Sequence, residues 1–290
     1  MVAASDAVGG AALAAARVWL VGGGKMGGAL LAGWLGRGLA PAQVTVIDPS
    51  PGVVPAGVRT VPDPAALAAE PAPDVLVLAV KPQMMDAVLP AYRRLGGGPT
   101  VVLSVAAGRV IAGFEAAFGP GTPVVRSIPN TPAAVHRGMT VACANPHVTP
   151  AGRTTCDALL GAVGDIAWVE DEALIDAVTA VSGSGPAYVF LLTECLARAG
   201  VQAGLPADLA DRLARSTVTG AAALMDQAAE DPATLRANVT SPNGTTAAAL
   251  DVLMTEDEGE GEGKGKGEGL AALMARAVAA AARRSRDLAG

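Results

Sequence analysis

Val21 leads directly into Gly22-Gly23-Gly24-Lys25-Met26-Gly27, a G-x-G-x-x-G pattern. In such a pattern the first glycine permits a tight turn and the second lets backbone approach a pyrophosphate. The third lets the following helix pack closely on its strand. Lys25 and Met26 then open that helix, whose free N–H groups and positive dipole end favour an anion. Asp48 follows Gly27 by about 20 residues, where a carboxylate accepts hydrogen bonds from ribose hydroxyls and repels a 2′-phosphate. No basic residue comes after it until Arg59. The pattern predicts a dinucleotide site that uses NADH at least as well as NADPH, although Asp48 precedes Pro49 and could merely start a turn.

Two further runs of small residues belong at the ends of strands, where open α/β sheets bind ligands. They are Ala79-Val80-Lys81-Pro82 and Ala106-Ala107-Gly108. Their small side chains let backbone lie against a cofactor. Lys81 faces either a phosphate or ribose, or solvent.

A second group of candidates lies downstream, in Ile128-Pro129-Asn130-Thr131-Pro132, Val181–Tyr188 (VSGSGPAY) and Val239–Thr246 (VTSPNGTT). In the last, the hydroxyls of Ser241, Thr245 and Thr246 and the N–H groups from Gly244 onward cluster just ahead of an Ala-rich helix. That arrangement is either a carboxylate site or an ordinary Ser/Thr helix cap.

These residues need a scaffold. Apolar runs at 17–21, 44–47, 75–80, 101–105 and 124–126 alternate with Ala/Leu-rich helical stretches. That alternation predicts an α/β domain, a Rossmann-type doubly wound and mostly parallel sheet, over 17–170. From 171 to 290 no strand stands out. Leu174, Ile175 and Val178, then Val189, Leu192 and Leu196, then Leu209, Leu213 and Val218 recur at helical spacing, so the second domain reads as all-helical. Residues 1–16 read as a disordered leader. Residues 256–269 (EDEGEGEGKGKGEG) carry no apolar side chain and read as a flexible exposed insert.

Composition narrows the function classes. Of 290 residues, 51% are hydrophobic and 17% charged, enough to build a large core and to exclude disorder for most of the chain. Aromatics at 3% and a net charge of −6 argue against nucleic-acid binding, which needs stacking surfaces and positive charge. Three cysteines without a C-x-x-C pair, and two histidines, suggest neither a disulfide framework nor a metal site. Charge, Gly or Pro interrupts each apolar run before it reaches membrane-spanning length, and the N-terminus lacks the basic start of a signal peptide. The expected setting is the cytoplasm, with no membrane partner.

Taken together, the motifs resemble those of pyrroline-5-carboxylate reductases. The likeness runs from about Arg17 to Leu288 and is carried by GGGKMGGA (22–29), AVKP (79–82), AAG (106–108), PNTP (129–132), DAVTAVSGSGPAY (176–188) and TSPNGTT (240–246). It implies reduction of 1-pyrroline-5-carboxylate to L-proline with NADPH or NADH, the last step of proline biosynthesis. It also implies a helical dimerisation domain and a homodimer or larger homo-oligomer. The resemblance assigns the substrate carboxylate to Ser241, Gly244, Thr245 and above all Thr246, and places Glu172 near the substrate ring. Val80 and Lys81 inherit cofactor contacts, and Asn130 a place near the nicotinamide. Two departures stand out. Asn243 occupies a position where the family usually has glycine, and the insert at 256–269 replaces a short connection. Asn tolerates left-handed backbone better than other non-glycine residues, so the turn can survive.

The chemistry so implied asks little of side chains. A protonated cyclic imine is already electrophilic, and the protein's main task is to orient it by its carboxylate. The imine proton comes from solvent, from the Thr246 hydroxyl, or through water near Glu172. A 3-hydroxyacid dehydrogenase, the nearest enzymatic rival, needs a lysine in its helical domain, and no lysine lies between Pro82 and Gly263. Reduction of another small cyclic imine carboxylate remains as an alternative. So does a non-catalytic NAD(P)-sensing regulator, which would have no use for the 240–246 loop.

Overall fold

A computed structural model describes residues 10–255 and 269–289. The chain divides into two compact units, one running through Ser184 and rejoined by the residues from Ala281 on, the other Gly185–Ala280.

The first unit is built on one sheet of eight strands in the order β3-β2-β1-β4-β5-β6-β7-β8. The strands are β1 (Val18–Val21), β2 (Val44–Ile47), β3 (Arg59–Val61), β4 (Val75–Leu78), β5 (Val101–Ser104), β6 (Val124–Pro129), β7 (Gly138–Ala144) and β8 (Gly164–Trp168). Every pairing is parallel except β6 with β7. The five strands legible in the sequence are present, with three more. β3 is three residues long with two of them exposed, and β7 (GMTVACA) is made of small residues. Neither writes a clear period-2 pattern.

Alternation along the strands divides the core between the two faces of the sheet. Val18, Leu20, Val46, Val77 and Leu103 pack on one face with Trp34, Leu159 and Leu160. These last three come from α2 (Lys25–Gly36) and α5 (Pro150–Gly161). Trp34 is fully buried, and its indole N–H donates to the Leu159 carbonyl at 2.8 Å, so the largest side chain of the core leaves no polar atom unmatched. Trp19, Leu76, Leu78 and Val102 pack on the other face with Tyr92, Phe114 and Phe118. There α3 (Met85–Val88), the 3-10 segment Leu89–Leu95 and α4 (Ile111–Phe118) form the cover.

Two expectations change here. Residues 10–15 form a short helix, α1, and Leu13 and Ala16 are 2% and 3% exposed within the first core cluster. Residues 10–16 are therefore part of the fold rather than leader, because an Ala/Gly-rich stretch still carries one leucine that the core accepts; residues 1–9 lie outside the described residues. The compact units meet at Ser184/Gly185 rather than at 170/171. α6 (Leu174–Val178) and the π-helical turn Thr179–Gly183 stay with the sheet, since Ile175 is fully buried in the cluster that holds Phe114 and Val141. The end of α11 (Leu270–Ala289) belongs there too: Ser285, 6% exposed, bonds Asp176 at 2.6 Å. The expected insert falls, except for Gly269, outside the described residues.

The second unit is helical, as expected: α7 (Gly185–Gln202), α8 (Ala207–Gln227), α9 (Pro232–Asn238), α10 (Thr245–Leu253) and the start of α11. α7 and α8 pack where Gly200 meets Ala210 and Leu205. Among its described residues the buried apolar ones are Ala210 and Ala214, whereas Phe190, Leu192, Leu224 and Val252 are all more than half exposed. The helical periodicity is real, but its apolar faces stay exposed among the described residues. Among the described residues, the helical stretch Leu174–Gln202 is long and apolar enough to meet the length and composition of a membrane span, with mean hydropathy 1.3. Asp176, Glu194 and Arg198 and the π turn interrupt it.

Candidate functional site

The strand register aligns Val21 with Ile47 and with Leu78, and Leu78 with Ser104. The loops that follow are therefore neighbours along one sheet edge: 22–27, 48–50, 79–82 and 105–108. β1 lies between β2 and β4, where the strand order reverses, which is where doubly wound sheets hold dinucleotides.

The glycine loop is shaped by contacts that only glycine allows. Gly22 has φ +99°, and a Cβ there would stand 2.9 Å from the Ala79 carbonyl group. A Cβ on Gly27 would stand 2.0 Å from the Gly22 oxygen. The turn, the first residues of α2 and the 79–82 loop are thus drawn together to backbone contact. α2 begins after Gly24 with no side-chain cap and no acidic residue in its first turn. The N–H groups of Lys25, Met26 and Gly27 are left for an outside acceptor, which suits a pyrophosphate. Asp48 directly follows β2, and its two oxygens accept from Gly23 N at 2.7 Å and Ser50 N at 2.8 Å. It therefore does start the turn, and it also pins that turn to the glycine loop. Ala79 and Val80 are half-buried and Lys81 is exposed. Pro82 opens a 3-10 turn after Lys81. Ala106 is buried and Ala107 exposed, while Gly108, φ +70°, rests against Leu288.

Asn130, which the resemblance places near the nicotinamide, has its side-chain amide engaged within the protein. Its Nδ2 donates to the Ser182 carbonyl at 3.2 Å and the Ser182 hydroxyl at 3.3 Å, and its Oδ1 accepts from Met139 N at 2.9 Å. It ties the PNTP segment to the π turn carrying the SGSG residues. Ser182 lies in the 181–188 segment read from the sequence, but its pairing with Asn130 was not foreseen, since only the folded chain brings positions so far apart together.

Glu172 is likewise engaged. Its Oε1 accepts from Arg126 Nη1 at 2.8 Å and from Ile111 N, at the start of α4, at 2.8 Å. Arg126 is 3% exposed in its side chain. Its Nε and Nη2 have no partner among the described residues, and Glu172 is the anion that compensates the buried guanidinium. Arg126 was hidden in the sequence inside an apolar strand. Beside it, burial and the nearby Glu172 push the Cys143 thiol above its usual range, and burial with the neighbouring Asp157 does the same for Cys156. Neither is a reactive thiol. Among the described residues no group of three or more His, Cys, Asp or Glu could hold a metal ion.

In the helical unit, segment 240–246 forms the turn that starts α10. Asn243 has φ +56°, and Gly244 N donates to the Ser241 carbonyl at 3.0 Å. Gly244 is the N-terminal boundary residue of α10, again with no side-chain cap and no acidic residue in the first turn. The hydroxyls of Ser241, Thr245 and Thr246 make no hydrogen bond among the described residues, so the ordinary cap is not what this loop forms. Free hydroxyls and the first N–H groups of a nine-residue helix remain for an anion. Asn243 bears the left-handed conformation that a glycine would adopt freely. Asn243→Gly is expected to leave the thermal midpoint and activity unchanged. Asn243→Val is expected to lose about 1–2 kcal/mol in a denaturant melt.

Family models place the start of the helical region near the expected 170/171 boundary, upstream of the Ser184/Gly185 junction between the compact units. The family model for pyrroline-5-carboxylate reductase dimerisation matches residues 172–288. The model for NADP oxidoreductase, coenzyme F420-dependent, matches residues 17–108. A pyrroline-5-carboxylate reductase of Pseudomonas aeruginosa is 41% identical over 246 residues, covering 81% of this chain and 87% of that protein. One from Mycobacterium tuberculosis is 38% identical over 260 residues, 81% of this chain and 88% of its own. Among solved structures, a pyrroline-5-carboxylate reductase from Coxiella burnetii superposes with a TM-score of 0.84 at 32% identity, covering 95% of this chain and 99% of that one. The Plasmodium falciparum pyrroline carboxylate reductase with NADP bound gives 0.79 at 26% identity, over 96% and 99%.

Proposed function

We infer, from the premise that this chain belongs to the pyrroline-5-carboxylate reductase family, that it reduces 1-pyrroline-5-carboxylate to L-proline with NAD(P)H. The observation that carries the inference is the pairing in one chain of an uncapped glycine-loop helix and a second uncapped helix start at 240–246, one suited to a pyrophosphate and one to a carboxylate.

Bound NAD(P)H supplies a hydride to the imine carbon. The protein's part is to bind and orient. Gly22, Gly24 and Gly27 leave room for backbone to meet the pyrophosphate, and the amides of 25–27 donate to it. Ala79, Val80, Lys81, Pro82, Ala106 and Ala107 line the adjoining strand ends. Ser241, Gly244, Thr245 and Thr246 hold the substrate carboxylate and so set which face of the ring is offered. The Thr246 hydroxyl, on the first turn of its helix, is the side chain assigned to hand a proton to the imine nitrogen. Glu172 and Asn130 act as positioning residues, through Arg126 and α4 and through Ser182 respectively. The test is loss of NADH absorbance when 1-pyrroline-5-carboxylate is added, with a six-membered cyclic imine as the comparison. Turnover of the five-membered ring supports the reading. Dinucleotide binding without turnover of either ring would replace it with a sensor.

NADH is the favoured dinucleotide. Both Asp48 oxygens face the glycine loop and its adjoining turn, and Arg59, the first cation after it, is paired with Glu70 at 2.5 Å. A 2′-phosphate would meet a carboxylate and no ready cation there. The expected kcat/KM with NADH is at least equal to that with NADPH. Asp48→Ser should move the ratio toward NADPH by about tenfold. A native preference for NADPH above about tenfold would reverse the assignment.

The chain carries a dimerisation domain, and the uncovered apolar faces of α7, α8 and α10 support a homodimer as the smallest working form. Three free cysteines support a cytoplasmic setting.

A further inference from the structure

A small cavity of about 120 Å³ lies on the face of the first unit, between the 3-10 segment Leu89–Leu95 and α4. It contains none of the residues assigned to dinucleotide or substrate. Its floor is apolar: Leu89 is 5% exposed and Phe114 1%, with Ala117 beside them. Its rim carries Arg93, Arg109 and Asp86.

The three charges are not equivalent. Arg109 Nη2 donates to Asp86 Oδ2 at 2.7 Å, and that hydrogen bond holds the Asp86 carboxyl below its usual range. Asp86 Oδ1 has no donor among the described residues, and the side chain is 79% exposed. Arg93 spends only its Nε, on the Ala117 carbonyl at 3.2 Å, and both its Nη groups are unpaired among the described residues. The rim thus offers a guanidinium with free N–H groups, a carboxylate oxygen with free lone pairs, and an apolar surface between them. At about 120 Å³ the cavity takes the aliphatic part of a small molecule whose charged groups stay at the rim.

We propose that this cavity is a binding site for a small zwitterionic α-amino acid with a compact apolar body. Arg93 takes the carboxylate, Asp86 Oδ1 the ammonium, and Leu89 and Phe114 the aliphatic part. A simple carboxylate is disfavoured, because Asp86 repels it without an ammonium in return. The same chemistry is shared by the reaction's own product and by free branched-chain amino acids, so the two sources are separated by experiment.

The test is isothermal titration of NADH-loaded protein carrying Thr246→Ala, which weakens uptake at the 240–246 loop, with L-proline, L-valine, acetate and pyrrolidine. Saturable binding of an amino acid is expected, with acetate and pyrrolidine at least about tenfold weaker. Tighter binding of L-proline identifies the product as occupant, and equal or tighter binding of L-valine identifies the amino-acid pool. Adding Arg93→Ala or, separately, Asp86→Asn should weaken binding about tenfold, and in otherwise native protein each should leave kcat/KM unchanged. Two results overturn the proposal: no saturable binding of either amino acid up to about 50 mM, or affinities indifferent to both rim substitutions. The readout is binding, so its failure is distinct from any failure of imine reduction, which the absorbance assay measures by itself.

Discussion

Gly27→Ala should lower kcat/KM for the dinucleotide by at least about a hundredfold, a loss of some 2.7 kcal/mol in transition-state stabilisation. The added methyl would sit 2.0 Å from the Gly22 oxygen. That oxygen belongs to backbone in a loop already committed to φ +99° and packed on the Ala79 carbonyl, so nothing nearby can swing aside. Either α2 slides away from β1 or the turn opens, and both displace the amides meant for the pyrophosphate. Nucleotide titration by fluorescence, beside a thermal melt, separates loss of binding from loss of fold. The control is Gly36→Ala at the end of the same helix, where a Cβ would meet nothing within 4 Å. That change should be neutral, or stabilising by about 0.5–1 kcal/mol. A Gly27→Ala enzyme with native affinity would mean that the glycine loop is a packing feature only.

The second large effect is expected at Thr246. Thr246→Ala should lower kcat/KM for the imine by roughly 10- to 100-fold, the range of a lost hydrogen bond to a charged group. The split between the parameters is informative. A hydroxyl that only holds the carboxylate raises KM with little change in kcat, whereas one that also donates the proton lowers kcat. Thr246→Ser keeps the hydroxyl and should recover most of the loss. Because the native hydroxyl makes no hydrogen bond among the described residues, its removal leaves no orphaned partner, and the fold should tolerate it. Unchanged kinetics would remove Thr246 from the site.

How much of this was legible beforehand follows from how local each signal is. Gly22 and Gly27, the β1, β2 and β4 strands and the α2 helix write themselves in adjacent residues, and the sheet edge that gathers loops 22–27, 79–82 and 105–108 followed from them. Asn243 was legible for the same reason: one residue's conformational tolerance decides that turn. Arg126 and the role of Ser182 were not. The first sits in an apolar strand and owes its burial to Glu172, far along the chain. The second matters because Asn130 reaches it. Glu172 itself was read through resemblance as lying by the ring, and the fold gives its carboxylate oxygen to a guanidinium and a helix start. Leu13 shows the converse error, since a composition that looks unstructured can still plug a core with a single side chain.

The outward-facing grease on the helices between Gly185 and Ala280 has a thermodynamic corollary. A lone protomer buries few apolar side chains among the described residues of that half, so its folding free energy there draws on association and grows with the logarithm of protein concentration. Melting midpoints measured at different dilutions should therefore drift apart. Substitutions at Phe190 or Leu192 should weaken catalysis most in the most dilute samples.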